Sequence, residues 1–481
     1  MNRVARLLIA KGIIAVFIGI VFLSATPRLG AIPAFARKYK TACATCHNNW
    51  PELNDFGRAF KASGFRFPKD DDQFVKDPPL MLGAEAQKET FPYSIYPGEL
   101  PNIPLAFRYS GYLTYNNTPP AAITAANGYS PNTTLFSPNT VTMIAAGNFG
   151  PAFSFWIDDD LSAAGSGGQG GLGDGYIKAN LGSLFHAAPG ALSVRYGQFE
   201  LDLPFTDART INLSGYAIYD ETATASVGTT NNPLALSSPQ DGIEVGGYPH
   251  NGNTWWNVAV VDGENSVYGT GTATTGHNSK DVYVHVAQRF NLERDASVRK
   301  EIQASGPTGV RDHHSLRLDG FAYYGRNELN QDGKLLPGLP LFHEAFYRAG
   351  GAFDYKLHNR FELYGLYEHG HDENKILNGD GTALVSATPV TFSGGFLEAE
   401  FWAYPWLIAT MRYDGVNSPT DFQNGVSRHD TRGSYVPGLY FLVRPNIKLE
   451  MEYTYNFEQP VPGTTTFYRA NTLATGADFV F

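Results

Sequence analysis

From about residue 105 to the C-terminus, apolar and polar residues alternate along segments of roughly ten residues. In one clear case Leu363 and Tyr367 alternate with Glu362 and Glu368, so one face is apolar and the other is charged. Such alternation predicts β-strands, because successive side chains of a strand point to opposite faces. Strands of this length with one apolar face are typical of barrels that cross a membrane.

The connections between these segments alternate in length. Short turns such as Gly147–Pro151 and Arg444–Asn446 alternate with long polar stretches such as 202–239, although the segment 291–313 is long where a short turn is expected. The chain ends on Phe481, an aromatic residue that fits the assembly signal of bacterial outer-membrane barrels. The predicted fold is therefore all-β, with a transmembrane antiparallel β-barrel of about 16 strands over residues 105–481.

Composition narrows the class further. The 481 residues are only 17% charged but 14% aromatic, and the formal net charge is −10. The aromatic content opposes disorder, the single long apolar run opposes a polytopic helical membrane protein, and the negative charge opposes a nucleic-acid partner.

The N-terminus reads as a secretory signal within residues 1–36. Arg3, Arg6 and Lys11 precede the apolar run 12–25, and cleavage is expected at a site between 25 and 36. The alternative is a retained membrane anchor. Export places the mature chain in an oxidising compartment.

The two cysteines form the motif Cys43-x-x-Cys46-His47. A redox dithiol would need a βαβ context, and a zinc site would need further ligands. In an exported chain the motif predicts covalent attachment of one haem c, with His47 as the proximal iron ligand. Export and the spacing therefore favour Cys43 and Cys46 as cofactor-binding residues.

A small haem-packing unit is predicted over residues 37–90, followed by a linker over 91–104. A helix from 51 to 63, capped by an Asn at 48 or 49, would place Leu53, Phe56 and Phe60 on one face against the haem. Met81 is a candidate distal iron ligand, with a histidine elsewhere or an open site as alternatives.

The inward face of the predicted barrel is acidic in its C-terminal half. The alternating pattern turns six glutamates inward: Glu362, Glu368, Glu398, Glu400, Glu450 and Glu452. This predicts a salt-bridged lumen or one that attracts cations. His369 and His371, followed by Asp372 and Glu373, form a candidate site for metal capture at the outer end of one strand.

The region around the cysteines resembles the fused monohaem cytochrome c–porin family of the bacterial outer membrane, which includes outer-membrane iron oxidases. The resemblance covers Ala34-Phe35-Ala36-Arg37, the Cys43–His47 motif and the stretch 51–65, and over the barrel it is architectural only. It implies that Cys43 and Cys46 bind haem, that His47 is the proximal ligand, and that the haem unit plugs the barrel from the periplasmic side.

These features together predict an electron conduit in the outer membrane. The haem would move electrons between an extracellular donor, for which Fe(II) is one candidate, and a periplasmic cytochrome or other carrier, with outer-membrane lipid as the surrounding partner. Such a protein would be an oxidoreductase of the iron-oxidase type if Fe(II) is the donor. Two alternatives stay open: a solute porin with a haem plug or sensor, and the same conduit run outward to an extracellular acceptor.

Overall fold

The structure is a computed structural model in which 27 stretches of the chain are described. These are 34–67, 71–76, 80–82, 89–90, 98–100, 105–116, 133–150, 152–163, 171–183, 185, 187, 190–206, 209–219, 234, 236–248, 253–263, 279–295, 314–329, 342–358, 360–373, 375–377, 382–387, 389–423, 426–444, 446–457, 459–460 and 467–481. Residues 1–33 of the predicted signal lie outside them.

Sixteen strands form one closed barrel. They are β1 to β16 in chain order: Leu105–Asn116, Thr133–Phe149, Phe153–Ala163, Leu172–Asn180, Ser193–Phe199, Gln240–Gly247, Thr254–Val261, Asp281–Asn291, His314–Leu329, Phe342–Leu357, Phe361–Asp372, Val390–Tyr404, Leu407–Gln423, Val426–Arg444, Ile447–Asn456 and Thr472–Val480.

Each strand pairs antiparallel with its neighbours in sequence, and β16 closes the barrel by pairing with β1. The closing register places Phe479 opposite Tyr109 and Ala477 opposite Gly111. Closure satisfies every strand edge, which a sheet in lipid requires because no water is present to bond free backbone groups. The predicted class and strand number are confirmed.

The two faces of the wall differ as the alternation predicts. On β11, Tyr367 on the outer face is 60% exposed, whereas Glu362, Tyr364 and Glu368 on the inner face are buried. Many large apolar side chains are exposed around the outside, among them Ile177, Tyr196 and Met411. This apolar outer surface is the one that a lipid bilayer covers in a transmembrane barrel. In the described part of the chain, no helix has the length and apolarity to cross a membrane.

The described part of the chain between β5 and β6 folds into the barrel instead of extending from it. Its described residues include Leu201, Phe205, Tyr216 and Leu236, all buried. They pack in one hydrophobic cluster with inward residues of strands β4, β5 and β7 to β13. The sequence pattern treats 202–239 only as a long polar connection, so its inward packing corrects that interpretation. We call residues 200–206, 209–219, 234 and 236 the inner loop.

The inner loop is held by polar contacts as well. Glu452 on β15 accepts hydrogen bonds from the backbone N–H of Leu213 at 2.6 Å, and from both the N–H and the hydroxyl of Ser214. Arg412 on β13 donates to the Ser214 carbonyl at 3.0 Å. Charge-assisted bonds of this kind are about twice as strong as neutral ones, so they fix this part of the loop against the wall.

Short elements precede and accompany the barrel. The helices α1, α2 and α3 span Ala34–Tyr39, Asp55–Ala62 and Asp71–Phe74, and 3-10 turns span Cys43–Thr45 and Leu181–Ser183. Four small ladders pair His47–Asn49 with Glu52–Leu53, Leu80–Leu82 with Gly98–Leu100, Lys375–Leu377 with Leu384–Ala387, and Gln459–Pro460 with Phe467–Tyr468. We call residues 34–67 and 71–76 the N-terminal segment.

Candidate functional site

Cys43, Cys46 and His47 lie in a tight fold of the N-terminal segment. A 3-10 turn over Cys43–Thr45 brings the Cys46 N–H to 3.1 Å from the Cys43 carbonyl. Both cysteines are free thiols and half-buried. Burial raises the pKa of Cys43, and it raises the pKa of Cys46 to about 12, so both thiols are protonated at neutral pH.

A cavity of about 750 Å³ adjoins these three residues. Its volume falls within the ~300–1,000 Å³ of typical cofactor pockets. Aromatic side chains of the N-terminal segment form much of one side, including Phe35, Tyr39, Trp50, Phe60 and Phe65. Strands β1 to β4 supply another part of the lining, including Arg108, Ile144, Trp156, Asp158 and Asp174.

The imidazole of His47 is oriented by the backbone. Its Nδ1 lies 3.1 Å from the carbonyl oxygen of Pro51, and because a carbonyl can only accept, Nδ1 carries the proton. This leaves Nε2 with the lone pair, which is the state of an iron-ligating imidazole. Burial lowers the pKa of His47 to about 4, so the ring is neutral at physiological pH.

The predicted helix over 51–63 begins later than the pattern indicates. Residues Glu52–Leu53 pair as a short strand with His47–Asn49, and α2 starts only at Asp55. Asn54 caps it by accepting from the Gly57 N–H at 2.9 Å, in place of the predicted cap at 48 or 49. The helix ends at Ala62, one residue before the predicted end, and Gly64 follows it with φ +71°.

The three residues predicted to pack against the haem do not all lie in the same place. Leu53 and Phe60 line the cavity. Phe56 does not belong to that lining: it lies in the aromatic cluster behind it, where its ring is 5.0 Å from that of Phe67. The later helix start explains the difference, because Leu53 precedes α2 and no longer shares a helical face with Phe56.

Phe35 belongs to the same aromatic cluster. Its ring lies 5.1 Å from Phe60 and 5.0 Å from Phe65. Signal cleavage after Ala36 would remove these contacts, which favours the earlier sites, Ala25 or Ala31, within the predicted range. The cleavage itself stays a prediction.

Ion pairs join the N-terminal segment to the inner wall of the barrel. Glu52 pairs with Lys356 of β10 at 3.2 Å, and Asp55 pairs with Arg289 of β8. Lys38 donates to Asn148 of β2 at 2.9 Å. All three barrel residues lie at the end of the barrel that also holds Leu105 and Phe481, where most connections are short turns and the segment after Arg289 is the long exception. We call this the short-turn end.

The remaining predicted ligands lie elsewhere. Met81 belongs to the strand Leu80–Leu82, opposite Glu99, and its side chain lies outside the described residues. His369 and His371 lie on the outer face of β11, near the long loops. Asp372 faces inward and pairs with Arg348 at 2.9 Å, so its side chain lies on the opposite face of the strand from the two histidines, and metal capture by His369 and His371 stays a prediction. His371 stacks on Tyr347.

Strand β3 supplies a part of the site that was not predicted from the sequence. Trp156, Asp158 and Asp160 alternate on its inner face and line the cavity. Trp156 donates to Asp158 at 2.5 Å and lies 5.6 Å from Phe65. The alternating placement of Trp156 and two aspartates could have predicted this part of the site. A tryptophan on the polar, inward face of a barrel strand needs a packing and hydrogen-bonding partner inside the barrel.

The fold comparisons find bacterial outer-membrane channels. The channel DcaP of Acinetobacter baumannii has 12% identity and a TM-score of 0.46, covering 78% of this chain and 96% of its own. OprB of Pseudomonas putida has 11% identity and a TM-score of 0.46, with 78% and 94% covered. An anion-selective porin from Comamonas acidovorans has 10% identity and a TM-score of 0.46, with 78% and 98% covered.

No family model and no curated protein sequence matches the chain. The identities and TM-scores above describe a general likeness in barrel shape. The ion selectivity in the porin's name is a property of that protein. The site described here rests on the residues and contacts of this chain alone.

Proposed function

We propose that this chain is a bacterial outer-membrane protein that carries one haem c next to the barrel lumen and conducts electrons across the membrane. The observation that carries the proposal is the cavity lined together by Cys43, Cys46 and His47. Their motif is that of haem c attachment, and the residues present fit the group: two free thiols, a neutral imidazole and aromatic walls.

Each part of the site has a role in holding such a group. Cys43 and Cys46 would supply the two thioether bonds, and His47 would offer Nε2 to the iron while Pro51 fixes the ring. Phe60 and Phe65 would cover one side of the cofactor and exclude water. Bound haem c supplies a one-electron couple, and the protein tunes it by burial and by the axial ligands.

The interior of the barrel favours conduction of electrons over free passage of solute. The inner loop packs Phe205 against Tyr364 with ring centroids 4.6 Å apart, and Tyr216 against Phe396 at 3.8 Å. These contacts cross the lumen between the loop and the wall. Because the N-terminal segment contacts the wall at the short-turn end, the segment acts as a plug in this proposal.

A solute channel is the second candidate function. The closed barrel of sixteen strands, with charged residues along its inner wall, supports it directly. In that case the haem unit would serve as a plug or sensor. The barrel architecture is compatible with either function. Measuring whether electrons or solutes cross the membrane distinguishes the two.

The proposal includes an electron donor and a direction of electron flow. Electrons would pass between an extracellular partner, with Fe(II) the first donor to test, and a periplasmic cytochrome or similar carrier. The reverse direction, toward an external acceptor, uses the same site. The haem potential relative to each partner decides between them.

The first experiment tests the cofactor. The full chain is expressed together with the bacterial haem c maturation system, and outer membranes are examined by haem staining and by pyridine haemochrome spectra. We expect one haem per chain, lost in the Cys43→Ser and Cys46→Ser variants. A folded wild-type barrel without a haem band overturns the proposal.

The second experiment separates conduit from channel. Proteoliposomes carry the haem-loaded protein with a redox dye inside and Fe(II) or another donor outside, and planar bilayers carry the same preparation. Reduction of the dye with little ionic conductance supports the conduit. Large stable conductance without dye reduction supports the solute channel.

A further inference from the structure

Three buried carboxylates meet where the N-terminal segment contacts the barrel. Glu52 of the segment, Glu362 of β11 and Glu400 of β12 each place an oxygen within 4.8 Å of the others. All three side chains are buried. They line a cavity of about 180 Å³ on the lumen side of the short-turn end.

The barrel register holds two of these carboxylates together. Glu362 and Glu400 are direct cross-strand partners on β11 and β12, with both side chains inward. Like charges directly opposite each other destabilise a sheet, so a cation beside this pair would be stabilising. The N-terminal segment adds a third carboxylate, that of Glu52, at the same place.

A lysine of the barrel wall contacts two of these carboxylates. Lys356 lies 3.2 Å from both Glu52 and Glu362, but its ammonium also lies 3.9 Å from Asp354. One ammonium therefore faces several carboxylates. Asn48 also donates to the Glu52 carboxylate at 2.8 Å, and it adds no charge.

The carboxylate of Glu400 provides an independent indication of a ligand. Its side chain is 1% exposed, and Oε1 accepts from the Tyr364 hydroxyl at 3.1 Å. Its other oxygen, Oε2, has no hydrogen-bond partner among the described residues. A buried charged oxygen without a donor is costly unless a cation coordinates it.

We propose that Glu52, Glu362 and Glu400 bind a hard divalent cation that joins the N-terminal segment to the barrel wall. Three carboxylates suit Mg²⁺, Ca²⁺ or Mn²⁺, which prefer oxygen ligands, and water in the adjoining cavity can complete the shell. The site goes beyond the proposed electron transfer, because it would bind a cation whether or not the chain carries haem.

Lys356 makes the proposal sharply testable, since its ammonium competes for the same oxygens. The experiment is Mn²⁺ titration of the full folded chain in detergent, read by electron paramagnetic resonance. We expect one saturable Mn²⁺ per chain. Glu362→Gln and Glu400→Gln should each weaken its binding at least tenfold, whereas Lys356→Met should strengthen it severalfold.

The matched control is Glu368→Gln, which removes another buried inward carboxylate from β11 outside the cluster. It should leave Mn²⁺ affinity unchanged. Heat-dependent gel mobility verifies that each variant is a folded barrel. Haem staining of the same preparations is a separate readout, so loss of cation binding and absence of haem are distinct results.

Absence of saturable Mn²⁺ binding to the folded wild type overturns the proposal. So does Mn²⁺ binding that Glu400→Gln and Lys356→Met leave unchanged, because those residues would then not belong to the site. The Lys356→Met result decides the question even where a Glu→Gln variant folds poorly, since it is expected to change the affinity in the opposite direction.

Discussion

Phe65 of the N-terminal segment and Trp156 of strand β3 lie with their ring centroids 5.6 Å apart. Trp156 also contacts the hydrophobic cluster formed by the inner loop and the barrel wall. One half-buried indole therefore links the aromatic cluster of the N-terminal segment to the packed interior of the barrel. Docking of the segment should depend on this contact.

Replacing Trp156 by alanine tests that dependence. Removing a large aromatic ring from a packed site costs about 3–5 kcal/mol when the ring is fully buried, and we expect about 2 kcal/mol here because Trp156 is half-buried. The measurement is hydrogen exchange of the α2 amides by mass spectrometry. Protection should fall in Trp156→Ala and be largely kept in Trp156→Phe.

Trp406→Ala is the control for this experiment. Trp406 lies in the turn between β12 and β13 and is exposed on the outer surface, where it stacks on Tyr404. Its loss removes the same side chain without touching the N-terminal segment. Equal loss of α2 protection in Trp156→Ala and Trp406→Ala would contradict the role of the Phe65–Trp156 contact.

A second prediction concerns Gly57, which lies in α2 directly against the Cys43–Cys46 turn. A Cβ at this position would collide with the backbone carbonyl of Cys46 and with the side chain of Leu53. Overpacking of this kind costs about 1–3 kcal/mol. Gly57→Ala should therefore displace the Cys43–Cys46 turn and reduce the haem content per chain, measured by pyridine haemochrome absorbance.

Gly320→Ala provides a matched control, because a Cβ there meets no atom within 4 Å. It should leave haem content and barrel folding unchanged. Full haem loading in Gly57→Ala would show that the turn tolerates displacement, and it would weaken the argument that α2 positions the two thiols.

The sequence predicts those features that depend on residues close together in the chain. Period-two alternation along β11 and the spacing of Cys43, Cys46 and His47 are local, and both are readable from the chain. The start of α2 is not, because Asn54 competes with two other asparagines as the cap. The pairing of Glu52 with Lys356 joins residues 304 positions apart and leaves no local signature.

The inner loop shows the same limit. The connection that contains this loop is polar in its overall composition. It nevertheless includes Leu201, Leu203 and Phe205, whose alternation continues past the end of β5. Their placement depends on a lumen wide enough to receive them, and the barrel alone sets that width. A run of apolar residues in a connection of this length was the available signal.

A third prediction follows from Lys61, at the end of α2. Burial lowers the pKa of Lys61 to about 8, with nearby Arg209 adding to the effect. The unfolded chain holds this proton up to a pKa of about 10.4, so between about pH 8 and 10.4 the unfolded state binds more protons. Stability of the docked segment should therefore rise with pH across that window and be lowest below pH 8.

Hydrogen exchange of α2 at pH 7, 9 and 10.5, corrected for intrinsic rates, measures this dependence. Lys61→Met should raise α2 protection at pH 7 by on the order of 2 kcal/mol and remove the rise above pH 8. Lys76→Met, at an exposed lysine of the same segment, should change neither. A rise that persists unchanged in Lys61→Met would assign it to another group.

The last prediction concerns the lumen. The Glu452 carboxylate holds the inner loop through the Leu213 and Ser214 N–H groups and the Ser214 hydroxyl, all within 3.0 Å. Glu452→Gln replaces a charged acceptor by a neutral amide, and losing such bonds costs about 1.5–3 kcal/mol each at most. The loop should open more often, and the mean single-channel conductance in planar bilayers should increase.

Glu344→Gln is the control, since Glu344 is equally buried on the inner wall and accepts from the Lys375 backbone N–H at 3.0 Å. It should leave conductance at the wild-type level. Deleting residues 207–219 should raise conductance further than Glu452→Gln. If the wild type already conducts as freely as the deletion variant, the inner loop does not close the lumen, and the solute channel becomes the better account of the barrel.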